Sequence, residues 1–337
     1  MQQNYDPSAT PWHINERDYP SHDSLIEKEK FLLQYALLAP SKYNIQPWRF
    51  DVNEKEVQFW LDPACWLTAS DPNRRELHIS IGAALENFLI AAEHFGFGHT
   101  VTYFPEAGKP EWIASVLLSP NGSPSPFRKD KKLFYAIINR HTSRAVYEAL
   151  AIPKVDLNQI KNCCIESEIE LYLTDDLALK KEIDELMIRA DALQFANSAF
   201  REELNFWMKE GGFDASWIIA KMGRLATAYL HQDGSSPDGK QNALSHAPFL
   251  AVLYSKEDDH KAHVQTGQVF ERIALSAASL GVQLQPMTQI IEVPQCREEF
   301  KPLVSLENAY PQHIFRLGYG SREKSHTPRR PLNELLL

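Results

Sequence analysis

The sequence has no apolar run long enough to cross a bilayer, so no membrane-spanning helix is expected. Positive charge is in deficit. The formal net charge is −9 and no polybasic tract precedes the C-terminus, which argues against general binding to nucleic acid or to an anionic membrane. The first twenty residues hold Pro, Asp, His and Arg without an apolar core, so no secretory signal is expected. Cysteine is scarce: there are 4, with no C-x-x-C pair, and Cys163 and Cys164 are adjacent in sequence and so poorly placed to bridge each other. Reduced thiols and a cytoplasmic protein follow as expectations. No G-x-S-x-G and no P-loop occur. "GFGHT" follows a helix-like run rather than a strand, so it is no dinucleotide fingerprint. The 12 histidines are scattered. His260 and His263, among the acids of "KEDDHKAHV", could meet a metal but read more simply as a solvated loop, and no metal is expected.

What is present is apolar material for one large domain or two small ones, at a hydrophobic fraction of 44% over 337 residues. Ser24 to Ala39 reads as a helix, opened by the capping pair Ser24 and Glu27 and stopped by Pro40. "WRFDVNEKEVQFWL" reads as two strands around a turn at Asn53–Glu56. "RELHISIGAALENFLIAAEHFGFG" carries Leu77, Ile81, Leu85, Phe88, Ala92 and Phe95 at helical spacing, with Gly96 placed as a cap. "EWIASVLLS" reads as a buried strand, and the Pro/Ser/Gly loop at 119–127 marks a boundary.

Beyond that loop the order partly repeats. "LFYAIINRHTSR" is helical and then breaks; "IELYLTD", "PFLAVLYS" and "HIFRLGYG" read as strands; "QTGQVFERIALSAASLGV" is a second strong helix. Laid on the first strong helix without a gap, it sets Gly82 on Gly267, Glu86 on Glu271 and Gly96 on Gly281. Two amphipathic helices always share some pattern, but glycines matching at both ends with a glutamate in register point to internal duplication. Two halves, 1–127 and 128–337, packed as a two-fold dimer packs, are therefore expected. Residues 176–247 interrupt the second half with amphipathic helix and a long polar loop, either a lid over a site or ordinary outer packing.

Three stretches could carry chemistry. "APSKYNIQPW" holds two backbone-fixing prolines, the hydrogen-bonding side chains Ser41, Asn44 and Gln46, and Trp48, a mixture suited to a flat heterocycle with polar edges; an Asn turn beside a core Trp is the plainer reading. "NRHTSRAVYE" offers Arg140, Thr142 and Arg144 for an anion, though alone it reads as a solvated basic turn. The tail "LGYGSREKSHTPRRPLNELL" brings Arg329 and Arg330, which alone read as a frayed basic end. Together they fit an aromatic heterocycle that bears a phosphate, and FMN has that shape.

"APSKYNIQPW" closely resembles the A-P-S-x-x-N-x-Q-P-W segment of nitroreductase-fold flavoproteins. "RHTSR" is similar to their R-x-[ST]-x-R element, and the strand–loop–Arg ending to their phosphate-binding segment. The doubled layout resembles the double-length, Acg-type branch. The resemblance covers most of the chain, apart from the first twenty or so residues and the insertion. It implies an α+β nitroreductase-like fold of two tandem pseudo-dimeric halves, each with a mixed, mostly antiparallel sheet and surrounding helices. It implies that Pro40, Ser41, Asn44 and Gln46 line the isoalloxazine. Arg140, Thr142 and Arg144 would hold the phosphate and ring edge, Arg329 with Arg330 would complete the phosphate site, and Pro286, Met287 and Thr288 would pass the N5 side. The first half has no R-x-[ST]-x-R before its helix and the second has no A-P-S loop, which implies one FMN per chain. The implied activity is reduction of a small acceptor, a nitro compound, quinone or similar, by NADH or NADPH through flavin N5, without a catalytic side chain. The alternative is a protein that stores or sequesters FMN, with Trp207, Tyr229 or the 231–246 loop covering the ring. Association of further chains is left open.

Overall fold

The computed structural model describes residues 11–122, 125–128, 130–210, 219, 222–223, 244, 247–321 and 326–337. In the first half, α1 (Leu25–Ala36) leads into β1 (Trp48–Val52) and β2 (Val57–Leu61), then α2 (Arg75–His94), β3 (Phe97–Tyr103) and β4 (Trp112–Pro120). After α3 (Lys131–Asn139) and α4 (Lys154–Lys161) come β5 (Ile169–Thr174), α5 (Leu177–Ala196), α6 (Ser198–Lys209) and β6 (Phe249–Ser255). The second half closes with α7 (His260–Ser279), β7 (Gln283–Pro286), α8 (Gln289–Glu292), α9 (Pro294–Leu303) and β8 (Tyr310–Gly318). The Ser24 hydroxyl caps α1 by accepting from the Glu27 N–H, as the capping pair requires.

The two sheets have the same topology, β1-β2-β4-β3 and β5-β6-β8-β7, with every ladder antiparallel. Among the described residues, parallel pairing is confined to the isolated bridges Phe50–Leu336 and Thr142–Leu284. Even the irregularities correspond: the second strand of each sheet slips register against the fourth, between Phe59 and Trp60 in one and between Leu253 and Tyr254 in the other. Helices α2 and α7 each end at a glycine with positive φ, Gly96 at 87° and Gly281 at 74°. The insertion lies between β5 and β6, where the first half has only the Asn53–Glu56 turn. Strands β3 and β7 and helix α4 were not evident from periodicity. Residues 97–103 mix Gly, His and Thr with exposed positions, and β7 is only four residues long.

The halves join along α2 and α7, both buried over most of their length. A Cβ on Gly82 would lie 2.0 Å from the Val264 carbonyl oxygen, and one on Gly267 would lie 2.0 Å from that of Ile79. The aligned glycines are thus the mutual contact of the two helices, each admitting the backbone of the other. The chain also crosses between the halves. Leu133, Phe134, Ala136 and Ile137 of α3 join the first core, and the C-terminal residues lie along β1, with Phe50 N–H donating to Leu335 O at 2.9 Å and Leu337 N–H to Phe50 O at 2.8 Å.

The aligned glutamates lie in this junction in unequal surroundings. Glu86 accepts forked hydrogen bonds from Arg128 (2.8 and 2.9 Å) and Arg272 (2.8 and 2.9 Å). Burial pushes its carboxyl up, but the two guanidiniums override this and hold it well below the ordinary range. Glu271 has a long contact to Arg140 Nε, at 3.5 Å, and the Asn87 amide beside it, but neither of its oxygens makes a hydrogen bond of good geometry among the described residues. Burial therefore dominates and its carboxyl is pushed up to about 7.

Two outcomes are expected. Gly82→Ala and Gly267→Ala should each lower stability by about 1–3 kcal/mol in urea unfolding, since the two helix backbones must part. For Glu271, the folded value exceeds the ordinary 4.5, so its contribution is intact below pH 4.5 and declines as pH rises towards 7. The stability difference, wild type minus Glu271→Gln, should therefore fall by about 3 kcal/mol between pH 4.5 and pH 8.

Candidate functional site

The loop after α1 is built against its ordinary preferences. Tyr43, Asn44 and Gln46 all have positive φ, at 52°, 55° and 50°, a conformation that costs a non-glycine residue on the order of 1–3 kcal/mol when bulky or otherwise unfavoured. Side chains hold it there. The Ser41 hydroxyl accepts from Gln46 N–H at 3.0 Å. The Asn44 amide donates to Pro328 O at 2.9 Å and accepts from Arg329 Nη1 at 2.7 Å, while Gln46 Oε1 accepts from Arg330 N–H at 2.8 Å. Arg329 is buried, and its guanidinium donates to the carbonyls of Leu37, Leu38 and Ala39 at the end of α1. The tail is thus a clamp on the loop, not a frayed end.

The clamped loop presents Pro40, Ser41, Lys42 and Tyr43 to a cavity of about 170 Å³ between the halves. The opposite wall comes from the segment after α3. Thr142 bridges Leu284, and Ser143 N–H donates to Leu284 O at 3.0 Å, so Thr142 and Arg144 are carried to the cavity beside Gln285 and Pro286 of β7. Thr288 follows, and α2 contributes Glu76, Ile79, Ser80 and Ala83.

Of the residues singled out in the sequence, Pro40, Ser41, Thr142, Arg144, Pro286 and Thr288 come together around this cavity. Asn44, Gln46, Arg140, Met287, Arg329 and Arg330 do not line it. Asn44 and Gln46 are bonded to the tail, Arg140 faces Glu271, and Met287 is packed in the core of the second half. Arg330 lies 3.7 Å from Asp62. His260 and His263 are not in a solvated loop: they open α7, where His260 stacks on His78 at 4.2 Å and His263 Nε2 meets Asp258 at 2.9 Å.

Several cavity residues carried no sequence signal. Glu292 on α8 pairs with Lys42 Nζ at 3.0 Å and accepts from Thr288 Oγ1 and Gln194 Nε2, each at 2.7 Å. Burial pushes its carboxyl up, but the Lys42 ammonium and the Thr288 hydroxyl hold it at about 2. Gln194 belongs to α5, so the insertion touches the cavity. Its next helix, α6, anchors nearby: the Glu203 carboxylate accepts from Ala69 N–H at 3.0 Å and Ser70 N–H at 3.2 Å. Trp207 packs with Phe200 and Leu204 near Tyr43, and is not part of the cavity wall. Tyr229 and nearly all of 231–246 lie outside the described residues.

The Nitroreductase family model matches residues 137–319, more than half of the chain. The chain belongs to the nitroreductase family. Similarity extends nearly end to end to two Mycobacterium tuberculosis H37Rv proteins named as NAD(P)H nitroreductases. Rv3131 is 26% identical over 320 residues, covering 92% of this chain and 90% of that one, and acg is 25% identical over 323 residues, covering 91% and 94%. Among solved structures, an FMN-bound nitroreductase from Bacteroides fragilis aligns with a TM-score of 0.38 at 18% identity, over 59% of this chain and 93% of that chain. No helix among the described residues is long and apolar enough to cross a membrane.

The Lys42–Glu292 pair is buried, with side chains 7% and 6% exposed. Lys42→Met should lower stability by about 3–5 kcal/mol at pH 7, because an uncompensated carboxylate is left inside. The loss should shrink towards pH 3, as Glu292 takes up a proton in the variant. Urea unfolding at the two pH values measures both.

Proposed function

We propose that the protein is an FMN-dependent oxidoreductase that uses NADH or NADPH to reduce a small acceptor such as a nitro compound or quinone. The observation that carries this reading is the meeting, on one cavity between the halves, of the Pro40–Ser41 loop, the Thr142–Arg144 segment and Pro286–Thr288. Family membership and the relatives' names support it.

The residues present suit the cofactor. Pro40 and Ser41 offer a rigid edge with one hydroxyl for the ring. Thr142 and Arg144 offer a hydroxyl and a guanidinium for the phosphate. Asn44, Gln46 and Arg329, with Arg330, act one step back, holding the loop in a conformation it would not adopt alone. Arg140 and Met287 set the position of the segments that carry Thr142 and Thr288. Bound FMN would supply a carrier that takes a hydride from the nicotinamide at N5 and passes reducing equivalents on. The protein would bind it, orient it and set the charge around it, and Lys42, Glu76 and Glu292 line the cavity together with Arg144 as the charged groups available for that task. The first half has no counterpart of the arginine segment and the second none of the loop, so one FMN per chain is proposed.

A second reading, storage of FMN with little turnover, draws on Gln194, through which the insertion reaches the cavity carboxylate. An absorbance spectrum of the purified protein separates the readings. Flavin bands at about one FMN per chain, bleached by NADH or NADPH without oxygen, are expected; bound flavin that stays yellow would favour storage, and a protein that cannot be loaded with FMN would sink both. Arg144→Ala should weaken FMN binding by on the order of tenfold or more, as loss of a charged hydrogen bond of about 1.5–3 kcal/mol requires.

A further inference from the structure

His313 stands in the middle of β8 and lines the cavity, yet it is 4% exposed and neither ring nitrogen has a hydrogen-bond partner among the described residues. Phe270 packs against it edge to face at a centroid distance of 4.3 Å, an apolar contact that leaves both nitrogens unused. A buried imidazole in this position is costly to the fold unless something meets it.

The fold does not ask for it. His313 pairs with Leu253 beside the register slip of the second sheet; at the matching place in the first sheet, Phe59 pairs with Ala114. The same architecture is thus served there by a methyl group. The charged groups around His313 are Glu76 and Arg75 of α2 and Glu292 of α8, and none of them bonds to it. Burial pushes its pKa down to about 4, so at pH 7 the ring is neutral, with one N–H to donate and one bare nitrogen.

We propose that His313 is a ligand-contacting residue of the cavity, its N–H donating to an oxygen on the planar ring of the molecule bound there. This rests on the reading of the cavity as the FMN and acceptor site. The chemistry, a planar unsaturated ring bearing an exposed carbonyl- or nitro-type oxygen, is shared by the flavin and by a quinone or nitroaromatic acceptor.

The full-length protein tests it with two variants, His313→Phe, which keeps a ring and removes both nitrogens, and His313→Gln, which restores a donor. FMN affinity is read by flavin fluorescence, KM and kcat with p-benzoquinone, and the His313 imidazole by nitrogen NMR in the wild type with and without FMN and p-benzoquinone. A contact to the flavin predicts an FMN Kd at least about tenfold weaker in His313→Phe, partly recovered in His313→Gln. A contact to the acceptor predicts unchanged FMN binding with KM for p-benzoquinone raised by a similar factor. In either case the imidazole resonances of the wild type shift on adding the molecule that it contacts. The proposal is overturned if FMN affinity and KM both stay within about twofold and those resonances do not move. They remain the decisive measurement should both variants misfold. Wild-type protein that takes up no FMN would overturn the parent reading too, and that is seen before any substitution is made.

Discussion

Everything else in the molecule hangs on the crossing of α2 and α7. Two backbones approach closely enough that a single methyl at Gly82 or Gly267 would meet a carbonyl oxygen of the other helix. That approach buries both helices along most of their length and fixes the two sheets in matching positions on either side. The cavity is a consequence of it: α2 provides one wall, while Phe270 of α7 and His313 of β8 provide another. A small separation of the helices would alter every distance across the site.

The duplicated core has been made unequal by its polar residues. Glu86 and Glu271 hold matching places, but Arg272 has Asn87 as its counterpart, so one carboxylate is gripped by two guanidiniums and the other has a neutral amide and a long contact to Arg140. Burial without compensation disfavours charge, which is why the two carboxyls are driven in opposite directions. The same inequality appears in the site, where His313 stands opposite Ala114 in the comparison of the halves. The two halves thus share their architecture but not all of the polar residues at matching places.

The motif that first stood out in the sequence turns out to do two jobs. Pro40 and Ser41 face the cavity, whereas Asn44 and Gln46 face the tail and keep three residues in left-handed backbone. Both jobs draw on the same short polar side chains, so residue type alone could not separate them. Arg329 shows the same limit: that its buried guanidinium caps carbonyls at the end of α1 is not written in its residue type.

The elements with strong periodicity, the helix stop at Pro40, the repeated helix pattern and the family to which the chain belongs are legible from residue order alone. These rest on local spacing and on short contiguous motifs, which a linear chain displays openly. It takes the folded chain to bring Lys42, Thr288 and Gln194 onto Glu292, to carry the insertion's helices to the first half, and to place His313 in the cavity lining. Those residues lie far apart in sequence, and their electrostatic meaning comes from burial and from partners on other elements. A single residue such as His313 has no pattern of its own; its place on β8, next to a register slip and opposite α2, is what makes its bare nitrogens chemically significant.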